Sequence, residues 1–365
     1  MRKKTKKILL ILNFIVIVAL LTSLFLVIFF SFSQPLTDKL VTNKPIQFTL
    51  TFYGTDNFLP DTIESYYVFY ERESKLLKII SINPEAVVFK KDVRARSLKY
   101  SFYKTAEEDL NLALTNFQQD VFEMTNNYFT PDFYITASFE SLIKLAGKNK
   151  ILKDLISNKS FANRDLQCLN QLEFAQEVLH ILKTRMFSNI SSLRKNYDLL
   201  GTDITKLAFI NMIMYFKINE PEIMFFDLPV KRTKTRVEPD KKNISDTFFI
   251  YYIPADAETT TLDGFINVEN ASGKPRMAEK ATWELRENKF DVLVWGNYNT
   301  SYEKTIIKDY KGNYGASKKI ARVLGSGKVI NSFDYENSLA VSVYIGKDCE
   351  IYDKLDKKEA VNGAN

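Results

Sequence analysis

The stretch Gly264-Phe-Ile-Asn-Val-Glu-Asn-Ala-Ser-Gly273 decides the fold of the C-terminal part of this 365-residue chain. Its pattern predicts a strand that ends in a turn of small residues. Five further elements are predicted after it: a helix at about Arg276 to Glu287, strands at Phe290 to Gly296 and Thr305 to Asp309, a helix at Tyr314 to Leu324, and a strand at Leu339 to Ile345. This β-α-β-β-α-β order is typical of a small split α/β module, which we place at residues 260–350.

The residues before this module alternate strand and helix patterns, which indicates an α/β layered domain at residues 42–232. Four strands are expected, at Gln47 to Tyr53, Ser65 to Tyr70, Leu77 to Ile82 and Phe133 to Ala137. Four helices are expected, at Ala106 to Tyr128, Phe139 to Ala146, Leu172 to Met186 and Ile204 to Phe216.

A polar stretch separates the two units. Residues 231–247 read KRTKTRVEPDKKNISDT and contain almost no apolar residue, which is the composition of a linker. We assign residues 233–259 to this linker and expect a strand at Phe248 to Ile253 near its end. Residues 351–365 are polar and are expected to form a disordered tail.

The N-terminus predicts a membrane anchor over residues 1–33. No charged residue occurs from Ile8 to Phe32, and about 20 mostly apolar residues suffice to cross a bilayer. The segment ends in Ser31-Phe-Ser-Gln-Pro35, a poor cleavage site, so an uncleaved signal-anchor is favoured over a removed signal peptide. Five basic residues precede it and should stay cytoplasmic, which leaves the bulk of the chain on the extracytoplasmic side.

Charge and cysteine usage narrow the class of protein. The net charge is +6, but five positive charges lie in the first seven residues. The rest of the chain has a net charge of about +1, which does not indicate a nucleic-acid-binding surface. With one histidine and two cysteines, the chain has no His/Cys cluster for zinc. Cys168 and Cys349 are expected to be free thiols, although one disulfide remains possible outside the cytoplasm.

The C-terminal unit resembles the LytR C-terminal module of bacterial envelope proteins. The resemblance covers roughly 85 residues in the right order. It is carried by Ile266-Asn-Val-Glu-Asn-Ala-Ser-Gly273, Ala278, Ala281, Phe290-Asp-Val, Gly296-Asn-Tyr, Tyr302, Thr305 and Val341-Ser-Val-Tyr-Ile-Gly-Lys-Asp348. The resemblance implies a fold and a location in the cell envelope, but it identifies no set of catalytic residues.

The first unit resembles a degenerate member of the LytR–CpsA–Psr (LCP) family. The matching pieces are Gly54-Thr55-Asp56, Asp61-Thr62-Ile63, Leu77 to Val88, Asp132-Phe-Tyr-Ile and Asp165-Leu-Gln-Cys-Leu-Asn170. The family has the same order of membrane helix and extracytoplasmic domain. Its active members resemble phosphotransferases that move a glycopolymer from a polyprenyl-pyrophosphate carrier to peptidoglycan, using Mg²⁺ held by aspartates and a set of arginines.

Two aspartates of this pattern remain. The resemblance places Asp56 and Asp61 at the metal positions, and two carboxylates with water could hold Mg²⁺. The alternative is that each aspartate caps a turn at a strand end.

The arginines of the pattern are missing. Asn57 and Leu59 occupy two of their positions, and Pro84 and Glu85 stand where the family has arginine and aspartate. Pyrophosphate needs guanidinium groups or a metal to balance its charge, so no catalytic residue is assigned. A basic cluster could substitute through Arg94 and Arg96, helped by Lys90, Lys91 and Lys99, or could be a solvated surface loop.

Three functions follow. The first is a non-catalytic binding or scaffolding protein at the outer face of the bacterial cytoplasmic membrane. The second is a protein-interaction subunit that acts through residues 260–350. The third is an active Mg²⁺-dependent phosphotransferase with relocated basic groups. The partners implied are the membrane itself, peptidoglycan, a polyprenyl-linked glycopolymer or other envelope proteins, but no nucleic acid.

Overall fold

The computed structural model describes residues 16–18, 20–22, 36, 39, 42, 44–55, 58–71, 75–88, 96–125, 130–157, 167–185, 196–234, 236–252, 262, 264–334, 336–349 and 351. Most of the predicted anchor and nearly all of the predicted tail lie outside these residues. Within them, no helix has the length and apolar character needed to cross a bilayer.

Strands make up the centre of the described chain. In chain order they are β1 (Ile46–Thr55), β2 (Phe58–Glu71), β3 (Leu76–Ile82), β4 (Val87–Val88), β5 (Arg96–Ser97), β6 (Phe133–Ser138), β7 (Gly201–Thr202), β8 (Glu222–Asp227), β9 (Val230–Arg232), β10 (Val237–Pro239), β11 (Phe265–Asn270), β12 (Val292–Asn297), β13 (Ile306–Asp309), β14 (Lys328–Asn331) and β15 (Leu339–Ile345).

Helices cover both faces of these strands. They are α1 (Leu98–Ala106), α2 (Leu110–Met124), α3 (Phe139–Ala146), α4 (Lys150–Ser157), α5 (Gln167–Arg185), α6 (Lys206–Asn219), α7 (Lys241–Tyr252), α8 (Met277–Glu287) and α9 (Tyr314–Leu324).

Eleven of the described strands form one sheet in the order β12-β11-β15-β13-β14-β8-β3-β2-β1-β6-β7. The two predicted units join through β8 and β14, which run parallel with Ile330 opposite Phe225 and Asn331 opposite Phe226. Asn331 Nδ2 also donates to the Phe225 carbonyl at 2.9 Å. The predicted mixed α/β class is therefore confirmed, with one sheet shared by both units.

Alternation along β2 separates two cores. Tyr66 and Val68 face the cluster that includes residues of α3 to α6, whereas Tyr67 and Phe69 face α1, α2 and α7. This is expected because successive strand residues point to opposite faces. A third cluster lies under α8 and α9 in the C-terminal unit.

The predicted helix from Ala106 to Tyr128 is wrong as one element. The structure has α1 and α2, with a break at Asp109. The Asp109 carboxylate accepts from the backbone N–H of Asn111 at 2.8 Å and of Leu112 at 3.2 Å. It is an N-cap, and an N-cap residue has non-helical backbone angles, so α2 starts anew there.

The predicted strand from Phe248 to Ile253 is also wrong, because the described residues Lys241–Tyr252 form helix α7. Aromatic and β-branched residues favoured a strand, but Asp240 begins a helix: its carbonyl accepts from Ile244 N at 2.8 Å. Ile244 is buried against the core. The polar stretch therefore contains the β9–β10 hairpin and a packed helix.

The β-α-β-β-α-β prediction for the C-terminal unit needs one addition. Strand β14 follows α9 and carries the contact with β8. Its four residues, Lys328–Asn331, are too short to give a clear alternating pattern.

Candidate functional site

Gly54 and Thr55, the described residues of the Gly54-Thr55-Asp56 motif, end β1 just before β2 begins at Phe58. A Cβ on Gly54 would lie 1.7 Å from the Leu59 carbonyl oxygen, so only glycine fits there. Tyr103 on α1 secures the turn, since its hydroxyl accepts from Gly54 N at 3.1 Å and donates to the Thr62 carbonyl at 2.6 Å. The glycine of the motif is thus required by backbone packing.

The predicted metal aspartates follow Gly54 and Thr55 in the sequence. Asp56 lies outside the described residues, and Asp61 is described only as part of the β2 backbone. Among the described residues, no group of three or more His, Cys, Asp or Glu side chains could hold a metal. Mg²⁺ binding at Asp56 and Asp61 therefore remains a prediction.

The turn after β3 carries the positions where the family pattern has arginine and aspartate. Asn83 Oδ1 accepts from Glu85 N at 3.0 Å, and the Pro84 carbonyl accepts from Lys99 N at 2.9 Å. Lys99 Nζ lies 3.3 Å from Glu85 Oε1 in an exposed ion pair. Lys99 of the predicted basic cluster is therefore partnered with Glu85, the carboxylate that the LCP resemblance places at the family's aspartate position.

The proposed substitute arginines lie near the start of α1. The Arg96 guanidinium lies over the Tyr100 ring, 5.3 Å from its centre, and Arg94 is outside the described residues. Tyr103 is the residue of α1 that contacts the β1–β2 turn. It lies about 8 Å along the helix axis from the first residue of α1, Leu98, at a rise of about 1.5 Å per residue. Arg96 and the turn are therefore at different ends of α1.

A buried carboxyl on β2 is a feature that the sequence analysis missed. Glu64 is 2% exposed and accepts from Gln171 Nε2 at 2.9 Å and from the Tyr66 hydroxyl at 3.4 Å. Burial raises the pKa of the Glu64 carboxyl to about 7. The two hydrogen bonds favour the ionised form and so lower the pKa, but they offset only part of the effect of burial. A perturbed buried carboxyl is a feature of functional sites. Both faces of β2 pack against a core, and Glu64 lies on the same face as Tyr66 and Val68 by strand alternation.

Gln171 also lines a cavity of about 500 Å³ between the two units. The cavity lies where β3, β8, β14 and β13 end. Asn83, Leu228, Ser332 and Tyr310 follow these strands within two residues and all contribute to its wall. In open α/β sheets, ligands bind at the carboxyl ends of parallel strands. The cavity could not be predicted from the sequence, since β14 was not predicted.

The motif of the C-terminal unit is structural. Asn270 Oδ1 accepts from the backbone N–H and the hydroxyl of Ser272, at 3.1 and 2.7 Å, and its Nδ2 donates to the Lys274 carbonyl. The Asp348 carboxylate accepts from Thr305 N at 2.7 Å. These contacts satisfy loop backbone groups, so the motif specifies a fold rather than a reaction.

Comparisons with known proteins agree with this unit. Residues 265–348 match the family model described as "LytR cell envelope-related transcriptional attenuator". The predicted LytR C-terminal module is confirmed. The family is associated with the cell envelope. No curated protein matches the sequence.

Several solved structures are similar to this chain at low identity and low TM-score. TagU of B. subtilis is 13% identical, with 56% of this chain and 94% of that chain covered and a TM-score of 0.40. TagV of B. subtilis is 12% identical, with 57% and 95% covered and a TM-score of 0.40. A transcriptional regulator (EF0465) from Enterococcus faecalis is 11% identical, with 56% and 85% covered and a TM-score of 0.43. These scores are too low to support an inference about chemistry.

Proposed function

We propose that this chain is a membrane-anchored protein of the bacterial cell envelope that binds or scaffolds envelope material without transferring phosphoryl groups. The observation that carries the proposal is the pair of positions Pro84 and Glu85. An exposed carboxylate there repels a pyrophosphate, and its nearest described cation, Lys99, is already paired with it at 3.3 Å. The LytR C-terminal module supports the envelope location.

The anchor is supported by the few described residues within it. Residues 16–18 and 20–22 are helical, and Val16, Leu20 and Leu21 are all more than 45% exposed. Apolar side chains on an exposed helix need a nonaqueous surrounding or a partner. The basic N-terminus then orients the chain with its bulk outside the cytoplasm.

The decisive experiment supplies the detergent-solubilised full-length chain with a polyprenyl-pyrophosphate-linked saccharide, a glycan acceptor and Mg²⁺. We expect no release of lipid phosphate above the rate without protein. Release that depends on Mg²⁺ and disappears in Asp56→Ala would refute the proposal in favour of a phosphotransferase that uses Asp56, Asp61 or relocated groups such as Arg94 and Arg96.

A second candidate is a protein-interaction subunit acting through the C-terminal module, and strand β12 favours it. This strand pairs with β11 on one side and forms the edge of the described sheet. Leu293 and Trp295 are 53% and 45% exposed. Edge strands with free backbone groups pair with extended segments of other chains. The occupant we expect is an extended, apolar segment of another envelope protein.

Substitution of the strand tests this candidate. Leu293→Lys puts a charge on the exposed side of the edge strand, where it opposes pairing with an apolar segment of another chain. Cross-linking in cells should lose its main product in this variant but keep it in Lys319→Met, a change on the exposed face of α9. An unchanged set of cross-linked partners would exclude β12 as the docking strand.

A further inference from the structure

The cavity between the two units has no role in the function proposed above. Its walls come from both units and from the stretch between them. Asn83 and Gln171 belong to the first unit, Asn243 to helix α7, and Lys308, Tyr310 and Ser332 to the C-terminal module. The parallel strands β3, β8, β14 and β13 are neighbours in the sheet, and all end at this cavity. After them the chain diverges, from β8 into the β9–β10 hairpin and from β14 back to β15, which leaves a crevice.

One wall residue has an unmet hydrogen-bonding requirement. Asn243 is 6% exposed, and its Oδ1 accepts no hydrogen bond within the described part of the chain. Its Nδ2 donates to Asp240 Oδ2 at 2.9 Å, so the amide orientation is determined. A buried acceptor without a donor costs free energy. This oxygen is itself shielded from solvent, so Asn243 forms part of the cavity wall without offering its Oδ1 to a ligand.

The charges of the wall select against an anion. Four carboxylates and three cations line the cavity. Lys231 Nζ lies 3.4 Å from Asp240 Oδ2, and Glu336, also in the wall, is 3.2 Å from Lys242. A phosphate needs converging cations without carboxylates beside them. With the signs mixed and partly paired, a neutral ligand fits better.

The remaining groups suit hydroxyls. A hydroxyl donates one hydrogen bond and accepts others, and the wall offers carboxylate acceptors such as Asp334, amides such as Asn337 and the Lys308 ammonium. Tyr310 and Phe333 add aromatic surface, against which the C–H face of a ring can pack. A volume of about 500 Å³ lies in the range of small-molecule sites, roughly 300–1,000 Å³.

We propose that this cavity binds a neutral, hydroxyl-rich ligand of one or two sugar rings, held between the first unit and the C-terminal module. The ligand bridges the ends of β3 and β8 on one side and of β14 and β13 on the other. Binding therefore strengthens the junction at which the two units share the sheet.

Saturation-transfer NMR on the full-length chain, in a detergent without a sugar headgroup, tests the site. The probes are cellobiose and N,N′-diacetylchitobiose, and binding of inorganic pyrophosphate, which carries no C–H proton, is measured alongside by ³¹P NMR titration as the anionic comparison. We expect transfer to at least one disaccharide and a dissociation constant at least five-fold higher in Lys308→Met and in Asp334→Asn. The matched control Lys319→Met, on the exposed face of α9, should bind like the parent chain.

Asp334→Asn keeps the oxygen that accepts from Glu336 N, so the loop retains its hydrogen bond. Thermal melting verifies that each variant is folded. The inference is overturned if neither disaccharide binds to the folded parent chain. It is equally overturned if disaccharide binding is unchanged in both cavity variants, or if pyrophosphate binds more tightly than the disaccharides and is weakened by Lys308→Met. None of these outcomes depends on phosphate release, so the test is separate from that of the proposed function.

Discussion

At the scale of single residues, roles that depend on neighbours in sequence could be predicted from the sequence, and roles that depend on distant residues could not. Gly54 and Asn270 were recognised in their motifs, and both satisfy a local backbone requirement that neighbours in sequence impose. Glu64 was not recognised, because its partner Gln171 is 107 residues away. Long-range pairs of this kind depend on the tertiary fold.

The buried Glu64 carboxyl predicts a pH-dependent stability. Its pKa rises from 4.5 to about 7 on folding, so the folded chain holds an extra proton between these values. Its stabilising contribution is complete below pH 4.5 and is lost as pH rises through 7. Glu64→Gln, which keeps an acceptor for Gln171, should raise the free energy of unfolding at pH 8 by about 1–3 kcal/mol.

Urea unfolding at pH 5 and pH 8 measures this effect. The parent chain should lose stability between the two values more than Glu64→Gln does, whereas Glu287→Gln on the exposed face of α8 should follow the parent. An equal pH response in Glu64→Gln and the parent would show that Glu64 is already ionised in the folded state.

At the scale of elements, amphipathic patterns predicted most strands and helices. Helices Phe139–Ala146 and Tyr314–Leu324 and strand Leu339–Ile345 were placed to the residue. The two wrong elements, the single helix from Ala106 to Tyr128 and the strand from Phe248 to Ile253, share a cause. Asp109 and Asp240 each begin a helix by accepting hydrogen bonds from backbone N–H groups. The predictions used the spacing of apolar residues, which carries no information about such polar contacts.

The Asp109 cap predicts a local loss of stability. Asp109→Ala leaves the N–H groups of Asn111 and Leu112 without their acceptor and should lower the free energy of unfolding by about 1 kcal/mol. Asp109→Asn should stay close to the parent, because asparagine caps as well. Chemical unfolding of the parent, Asp109→Ala and Asp109→Asn measures the free energy of unfolding of each. An equal loss of stability in both variants would show that the charge of Asp109, and not its capping hydrogen bonds, stabilises the helix.

At the scale of the whole molecule, the shared sheet makes the two units interdependent. Tyr302, Ile306 and Ile330 of the C-terminal module belong to the same hydrophobic cluster as residues of α3 to α6. A chain ending at residue 259 should therefore expose the β8 edge and this apolar surface, and should melt at a lower temperature and aggregate.

Differential scanning calorimetry of this truncated chain and of a matched truncation after Ile351 tests the dependence. The shorter deletion should melt like the full chain. A first unit that melts at the parent temperature without the module would show that the β8–β14 contact adds nothing to its stability.

The sequence by itself determined the mixed α/β class and the LytR C-terminal module, because these depend on residue type and local spacing. From the resemblance to the LCP family, it predicts that the arginines of that pattern are absent. It also predicts the anchor and the Mg²⁺ aspartates, which stay predictions. Only the tertiary structure decided that both units share one sheet, that Lys99 pairs with Glu85, and that a cavity lies where four parallel strands end. Those features join residues distant in sequence, and the packing that brings them together has no signal in a local pattern.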